Sequence, residues 1–442
     1  MNFYIKEKVI YKKLFLFLLI CSVWLTVSLF LVFRFDAPLN FSHTAVIVTS
    51  IILLLIFREN ISLRKPHVFL IVFFVMLLFL SIIKFLFIDN ETLMHGHWNW
   101  INGVKVRAYI KLNSYFLFFK ECFHLSFMIL TLFVSSIVIK KSQITLENFK
   151  YILQKYLYYV VLFYLIVYGI FFYYEDIIAI FGTNRYNGFR SFAAVKNQNF
   201  FKIFPYRLGI THTEPSFSGL YVLIFSPLIF LKSKYKNRLI ILVPLFFVFN
   251  ASKYVLAVTI IICLIWSLFK LYKISKENRH QILKYLMLFF SLIITVLYYH
   301  YNEKIIEVLN DYSGYSRLFS MFSGLLFFSK NLFTGIGIGQ FPIQFVENFE
   351  GTHYLEKILI ISPSAQNMFV SGLAEFGFIY ISFIIFVFCF LYKIYYRDII
   401  LFYCSLILIF NFHASPGNGF NMIYYWVLLI FFSFYAWDTK KN

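Results

Sequence analysis

The sequence is poor in charged side chains, and in acidic ones above all. Asp and Glu number 20 in 442 residues, against 40 Lys and Arg, and charged residues make up only 14% of the chain. Hydrophobic residues reach 61% and include 61 Phe and 33 Tyr. A soluble protein cannot bury so much apolar surface, whereas a bilayer can accommodate it. The composition therefore predicts an integral membrane protein.

Cysteine, proline and glycine are also scarce, at 5, 9 and 17 residues. No C-x-x-C motif or His/Cys cluster occurs, which excludes a disulfide framework and a zinc module. The pair His95 and His97 lacks nearby carboxylate or Cys ligands in sequence, so we expect no metal. No stretch rich in Pro, Gly or Ser divides the chain, and we predict a single integral membrane domain over residues 1–442.

Hydrophobic segments along the chain predict an all-α fold with about twelve transmembrane helices. They lie near residues 14–33, 43–57, 67–88, 114–139, 152–174, 216–231, 239–250, 254–270, 284–300, 368–392, 399–413 and 421–437. The shortest of them fall below the roughly 20 residues that a straight crossing requires.

Lys and Arg concentrate in alternate short loops between these segments. If the amino terminus is cytoplasmic, most of the Lys and Arg also lie on the cytoplasmic side, as the positive-inside rule requires. Both termini are then predicted to be cytoplasmic. The net charge of +20 is explained by this bias and by attraction to membrane lipids, so we expect no nucleic-acid partner.

Three long loops are predicted on the outer face, at residues 89–113, 175–215 and 301–367. The largest, 301–367, contains an amphipathic pattern from Tyr315 to Lys330 that predicts a helix on the membrane surface. A glycine-punctuated turn, Gly335-Ile-Gly337-Ile-Gly339, follows this helix.

Polar groups at the outer ends of the predicted spans are candidates for chemistry. Glu214 precedes Pro215, where a span begins, and either caps a helix or acts as a carboxylate beside Arg207. Arg317, at the start of the loop helix, reaches either lipid phosphates or a substrate diphosphate. Lys253 lies in a short outer turn, where a snorkelling role is the alternative.

A second set of polar residues opens the late span. Asn367, Ser371 and Glu375 are four residues apart, so they share one face of a helix. Glu375 lies about two turns into the apolar segment, where a carboxylate requires a partner or a water-filled cavity. Packing between helices is the alternative role.

Taken in order, these motifs resemble the family of bacterial O-antigen polymerases and ligases. The resemblance covers roughly residues 185–395. The motifs that carry it are an Arg, Glu214-Pro-Ser at the start of a span, Ser252-Lys253 in an outer turn, Ser316-Arg317, the Gly335–Phe341 turn, and Ser362-Pro-x-x-x-Asn367 followed by Glu375-x-Gly377.

The resemblance implies a GT-C-like glycosyltransferase of the bacterial cytoplasmic (inner) membrane, with a large periplasmic loop at 301–367. Such polymerases join oligosaccharide repeats carried on undecaprenyl diphosphate, at the outer face, without a metal or other cofactor. A chain-length regulator protein is a candidate partner.

The family chemistry assigns roles to the candidate residues. Fixed cations would stabilise the diphosphate leaving group, and a carboxylate would accept the proton of the acceptor hydroxyl. The catalytic candidates are Arg207 and Arg317 as the cations and Glu214 as the base. The substrate-binding candidates are Arg190, Lys253, Gln366, Asn367 and Glu375.

Gln366 distinguishes two activities on this scaffold. Ligases, which transfer finished polymer to lipid A-core, carry a His at this position, and Gln cannot replace it as a base. The sequence therefore favours a polymerase, with a ligase as the alternative. A lipid-linked oligosaccharide flippase or other transporter is the second alternative, although no internal repeat typical of transporters is found.

Overall fold

The computed structural model describes residues 2–24, 41–56, 63–101, 104–173, 215–250, 312–349, 367–413, 420 and 422–437, which are predominantly helical. The helices are α1 (Asn2–Trp24), α2 (Phe41–Ile56), α3 (Lys65–Phe85), α4 (Ser114–Ser142), α5 (Leu146–Tyr173), α6 (Pro215–Phe225), α7 (Lys236–Asn250), α8 (Tyr312–Lys330), α9 (Phe341–Phe349), α10 (Met368–Phe376), α11 (Ile381–Arg397), α12 (Ile399–His413) and α13 (Ile423–Ala436). Two strands, β1 (Thr92–Ile101) and β2 (Val104–Asn113), pair antiparallel, and short 3₁₀ segments follow α6 and α10.

Three helical segments of the described chain are long and apolar enough to cross a membrane, namely α3, α4 and Met368–Arg397. This supports a membrane protein, but with fewer clear spans than the twelve predicted. Shorter apolar helices include α2, α12 and α13. The predicted spans at 254–270 and 284–300 lie outside the described residues.

Helix α13 forms the centre of the bundle. All of its 14 residues are buried, as expected for a helix that is apolar on every side. The ring of Phe431 lies 4.8 Å from that of Phe15 in α1, and Trp426 lies 5.3 Å from Phe74 in α3. Aromatic pairs at these distances stabilise packing beyond area burial alone. The many Phe residues therefore build the core as well as the surface.

Helix α3 shows how the bundle meets its surroundings. One side, including Leu70 and Phe74, is buried, whereas Phe69, Val72 and Phe79 on the other side are exposed. An exposed side this apolar is stable in lipid and costly in water. At about 1.5 Å per residue, its 21 residues are about as long as the hydrocarbon layer is thick.

Charges that the sequence places on one side of the membrane lie at one end of the bundle. Arg64, before α3, donates to the Phe434 carbonyl at the end of α13 (3.1 Å). Lys150 in α5 contacts Asp398, between α11 and α12, at 2.7 Å. At the opposite end, α9 from the 301–367 loop packs against both strands of the 89–113 segment. The two long loops thus share an end, as predicted; which end is cytoplasmic stays a prediction.

Three sequence expectations need correction. The 89–113 segment is a β-hairpin, which the sequence analysis read only as a loop. The helix predicted to begin at residue 14 begins at Asn2, because Lys-rich turns are compatible with helix at a membrane boundary. The span at 368–392 is interrupted after α10, where Gly377 adopts φ +66°.

The buried ion pair near α5 gives a test of the packing. Lys150 contacts both Glu147 and Asp398 at 2.7 Å, but the Glu147 side chain is 64% exposed and that of Asp398 only 11%. Lys150→Met leaves Asp398 buried without its cation, so we expect a loss of about 3–5 kcal/mol in unfolding free energy. Glu147→Gln should cost about 0–1 kcal/mol.

Thermal unfolding of the purified protein in detergent measures both effects. Addition of Asp398→Asn to Lys150→Met should restore part of the stability, because the uncompensated charge is removed. Equal melting temperatures for Lys150→Met and Glu147→Gln would contradict this account.

Candidate functional site

The structure describes the backbones of three of the predicted site residues. Asn367 and Glu375 are described with their side chains, and Arg317 lies in helix α8, where only its backbone is described. The other candidates lie outside the described residues, namely Arg190, Arg207, Glu214, Lys253 and Gln366. The roles assigned to them therefore stay predictions.

Asn367 begins helix α10. Its side-chain oxygen accepts hydrogen bonds from the amides of Phe369 (2.9 Å) and Val370 (3.2 Å), which satisfies amides that have no partner within the helix. Its Nδ2 lies 3.7 Å from the sulfur of Met321 in α8. The expected helix start is confirmed, and it is joined to the loop helix.

Helix α8 is amphipathic, as the sequence predicts, but its buried side is built from small residues. Ser320, Ser323 and Gly324 are buried, and α8 packs against α10. Small side chains allow two helix backbones to approach closely. Phe322 and Leu325 on the other side are exposed. Because residue 321 follows residue 317 by one turn, the Ser316-Arg317 motif lies on the helix that contacts Asn367.

The shared face of Asn367, Ser371 and Glu375 is confirmed, since all three residues are buried in the structure. Glu375 is only 4% exposed. It lies close enough to the Cys122 thiol in α4 and to the Tyr380 hydroxyl for its charge to act on both. A second carboxylate, Glu121, also acts on Cys122. Two acidic side chains therefore lie at the contact of α4 with α10.

The glycine-punctuated turn is attached to the end of α10 by main-chain hydrogen bonds. The amide of Ile336 donates to the Ala374 carbonyl (2.8 Å), and that of Gly337 donates to the Glu375 carbonyl (3.0 Å). The amide of Phe378 donates in return to the Leu332 carbonyl (2.7 Å). Such bonds satisfy backbone groups that lack water partners inside a membrane protein.

Two glycines allow this close approach. Gly335 has φ +63°, and a Cβ there would lie 2.3 Å from the Glu375 carbonyl carbon and oxygen. Gly377 has φ +66°, and a Cβ there would lie 2.5 Å from the Leu332 carbonyl oxygen. Both positions require a left-handed backbone and the absence of a side chain. The two glycines of the sequence motifs therefore meet at one contact.

Lys84, at the end of α3, is a contact that the sequence analysis missed. Its amine donates to the Gly335 carbonyl, and it lies 3.4 Å from both oxygens of Thr334. On the other side of the turn, the Gln340 side chain donates to the Ser114 carbonyl of α4 (3.1 Å). A lone Lys in an apolar span is costly unless it has such partners, and this signal was present in the sequence.

A pair of carboxyl groups joins helix α9 to the base of the hairpin. Glu347 in α9 forms a hydrogen bond with Glu91, just before β1. Partial burial and this bond raise the pKa of Glu347 from its usual 4.5 to about 7. The Gln344 side chain also donates to a Glu347 oxygen (2.7 Å). The contact between α9 and the hairpin therefore contains a proton that is shared near neutral pH.

Within the described ranges, no group of three His, Cys, Asp or Glu side chains could hold a metal ion. The expectation of a metal-independent reaction is not tested by this observation and stays a prediction.

Comparison with protein-family models finds no match for the chain, and no curated protein matches it. The resemblance to O-antigen polymerases and ligases therefore depends on the sequence motifs, and their arrangement in the structure is an independent observation.

The glycine contact gives a test of the site. In Gly335→Ala the new methyl group would overlap the Glu375 carbonyl, so the turn must separate from α10. Gly337→Ala is the matched control: it also has a positive φ (+103°), but its nearest neighbours are side-chain atoms at 3.5 Å. The control should lose only backbone strain, about 1–2 kcal/mol.

We expect Gly335→Ala to lower the melting temperature in detergent well below that of Gly337→Ala. Cross-linking between cysteines introduced at Ile336 and Ala374 should also fail in Gly335→Ala alone. Equal effects of the two substitutions would mean that the left-handed backbone, and not the close contact, determines stability.

The Glu347 proton predicts a pH dependence. Because the folded protein binds this proton more tightly than the unfolded chain, the contact is most stable below pH 4.5 and weakens as the pH rises through about 7. Hydrogen exchange of residues 341–349, corrected for intrinsic rates, should therefore become faster across this range.

Glu347→Gln should remove that dependence, because the amide donates to Glu91 at every pH. Glu147→Gln, at the other end of the bundle, is the control and should retain it. Persistence of the pH dependence in Glu347→Gln would show that another group is responsible.

Proposed function

We infer that this protein is a surface-polysaccharide (O-antigen) polymerase. It would join oligosaccharide repeats carried on undecaprenyl diphosphate at the outer face of the bacterial inner membrane. The proposal includes the finer topology predicted from sequence: about twelve spans, cytoplasmic termini, and residues 301–367 as the periplasmic loop.

The observation that carries the proposal is the convergence of three separate motifs. The helix of Ser316-Arg317 packs against the helix that Asn367 begins, and the glycine turn is bonded to that same helix at Glu375. These segments are not adjacent in sequence, yet they form one contact. Motifs that act on one substrate must meet in this way, whereas unrelated structural motifs need not.

The proposed reaction is a direct displacement at the anomeric carbon of the donor glycan. The acceptor hydroxyl forms the new glycosidic bond, and the bond to the lipid diphosphate breaks. Glu214 takes the hydroxyl proton as general base, and Arg207 and Arg317 stabilise the negative charge on the departing diphosphate. Inversion of the anomeric configuration follows from a single displacement.

Glu375 and Asn367 are proposed to bind sugar. Glu375 is a buried carboxylate beside a helix junction, and carboxylates accept hydrogen bonds from sugar hydroxyls that are stronger than neutral ones. Arg190, Lys253 and Gln366 complete the proposed substrate-binding set. Gln366 in place of a ligase His favours the polymerase.

Glu375→Gln tests this assignment with little change of shape. A charged hydrogen bond contributes about 1.5–3 kcal/mol, so we expect glycans of mainly one repeat at normal protein levels. Arg317→Ala should give the same result. Asp89→Asn, an exposed acid before the hairpin, is the control and should give full-length chains.

The measurement is the length distribution of surface glycans on gels, with protein levels from immunoblots. Wild-type chain lengths in Glu375→Gln would remove this residue from the site. Deletion of the whole gene separates the alternatives: core plus one repeat indicates a polymerase, whereas bare core with accumulated lipid-linked polymer indicates a ligase.

A further inference from the structure

The β-hairpin forms the link between two helices of membrane-spanning length. It follows the end of α3, and its second strand ends at Asn113, directly before α4. Ten residue pairs join the strands, which gives a length of about 33 Å at about 3.3 Å per residue. Both ends of the hairpin are attached to spans, so its base lies at a membrane boundary.

Exposed apolar side chains surround the base of the hairpin. Leu86 and Phe87, just after α3, are 78% and 80% exposed, and Phe116 and Phe119 in α4 are also exposed. Residues this apolar are stable when exposed only if lipid covers them. The apolar surface of the spans therefore continues up to the first residues of the hairpin.

The strand register divides the hairpin residues between two faces. Leu93 pairs with Leu112, and these two residues pack with Ile343 and Val346 of α9. That face is therefore the one that meets α9. Because successive residues of a strand alternate between faces, the intervening residues belong to the opposite face.

The opposite face combines aromatic and basic positions. Trp98 pairs with Arg107, Trp100 with Lys105, and Met94 with Lys111. We call it the basic aromatic face, defined by Trp98, Trp100, Lys105, Arg107, Tyr109 and Lys111. All three cations of the two strands belong to this face, and the sequence from 92 to 113 contains no acidic residue.

We propose that the basic aromatic face binds anionic phospholipid headgroups of the leaflet next to it. Trp and Tyr favour the headgroup region of a bilayer, and Lys and Arg near the surface bind anionic lipid. Three cation positions alternating with aromatic positions match both features of that region. The inference does not depend on the proposed polymerase activity.

A membrane fits this face better than an anionic glycan in solution. A glycan would use the same cations and aromatic rings, but it would not require the apolar residues at the base of the hairpin. The continuity of the basic aromatic face with Leu86, Phe87, Phe116 and Phe119 is what favours the lipid.

The test uses the full-length protein in nanodiscs of phosphatidylcholine with phosphatidylglycerol. Bromine is placed on the acyl chains of one lipid or of the other, because bromine quenches nearby Trp fluorescence. The chain has 6 Trp, so the difference between wild type and the Trp98→Phe/Trp100→Phe variant isolates the hairpin signal. The preference is the ratio of quenching by the two brominated lipids, corrected for their amounts.

We expect a preference for phosphatidylglycerol that decreases with salt. Replacement of Lys105, Arg107 and Lys111 by Gln should lower it by up to about fivefold for each cation removed. Replacement of Lys232, Lys234 and Lys236 by Gln is the control, since these residues lie at the other end of the bundle and remove the same charge. A variant with Lys105→Arg, Arg107→Lys and Lys111→Arg should behave as wild type and shows that the hairpin tolerates substitution.

Equal quenching by the two brominated lipids would overturn the proposal, as would a preference that survives loss of the three cations. A change in Trp98 and Trp100 fluorescence on addition of the soluble anionic glycan alginate, without any lipid preference, would also overturn it and would identify an anionic glycan as the partner.

Discussion

The main-chain hydrogen bonds between the glycine turn and the end of α10 are the interaction on which the candidate site depends. Backbone groups inside a membrane protein have no water to bind, so each one left unpaired is costly. Ile336 and Gly337 donate to the carbonyls of Ala374 and Glu375, and this fixes the position at which α10 ends. The Glu375 side chain is placed by the same contact.

The surrounding helices constrain the turn from three directions. Lys84 of α3 binds the turn carbonyls, Gln340 of the turn binds α4 through the Ser114 carbonyl, and α8 packs against α10. A change at any of these contacts is expected to reach Glu375 through rigid helices and short bonds. The candidate site is therefore a junction of helices, and its side chains do not belong to one mobile loop.

Polar residues in this bundle have two distinct structural roles. At one end, Lys150 and Asp398 form a buried ion pair that joins α5 to the connection between α11 and α12. At the other end, Glu91 and Glu347 share a proton, and Glu121 and Glu375 both act on Cys122. Paired opposite charges stabilise a fold, whereas neighbouring carboxyl groups are costly to keep and are more common where a protein binds ligands or protons.

Local patterns in the sequence predicted local structure well. The four-residue spacing of Asn367, Ser371 and Glu375 correctly predicted one buried face, and the amphipathic pattern before Asn331 correctly predicted helix α8. The hairpin was missed although its signal was present. Asn102-Gly103 between strongly β-forming residues favours a two-residue hairpin turn, but the segment was interpreted only as a connection between spans.

The sequence by itself determined the membrane environment, the positions of most described helices and the pairing of loops by side. These properties depend on composition, local periodicity and charge bias, all of which are visible along the chain. Only the tertiary structure decided that Lys84 binds Gly335, that Gly335 and Gly377 meet, and that Glu375 faces Cys122. Such contacts join segments that can be more than 200 residues apart, and they depend on how helix surfaces fit together. That fit is a property of three-dimensional shape, and no local pattern encodes it.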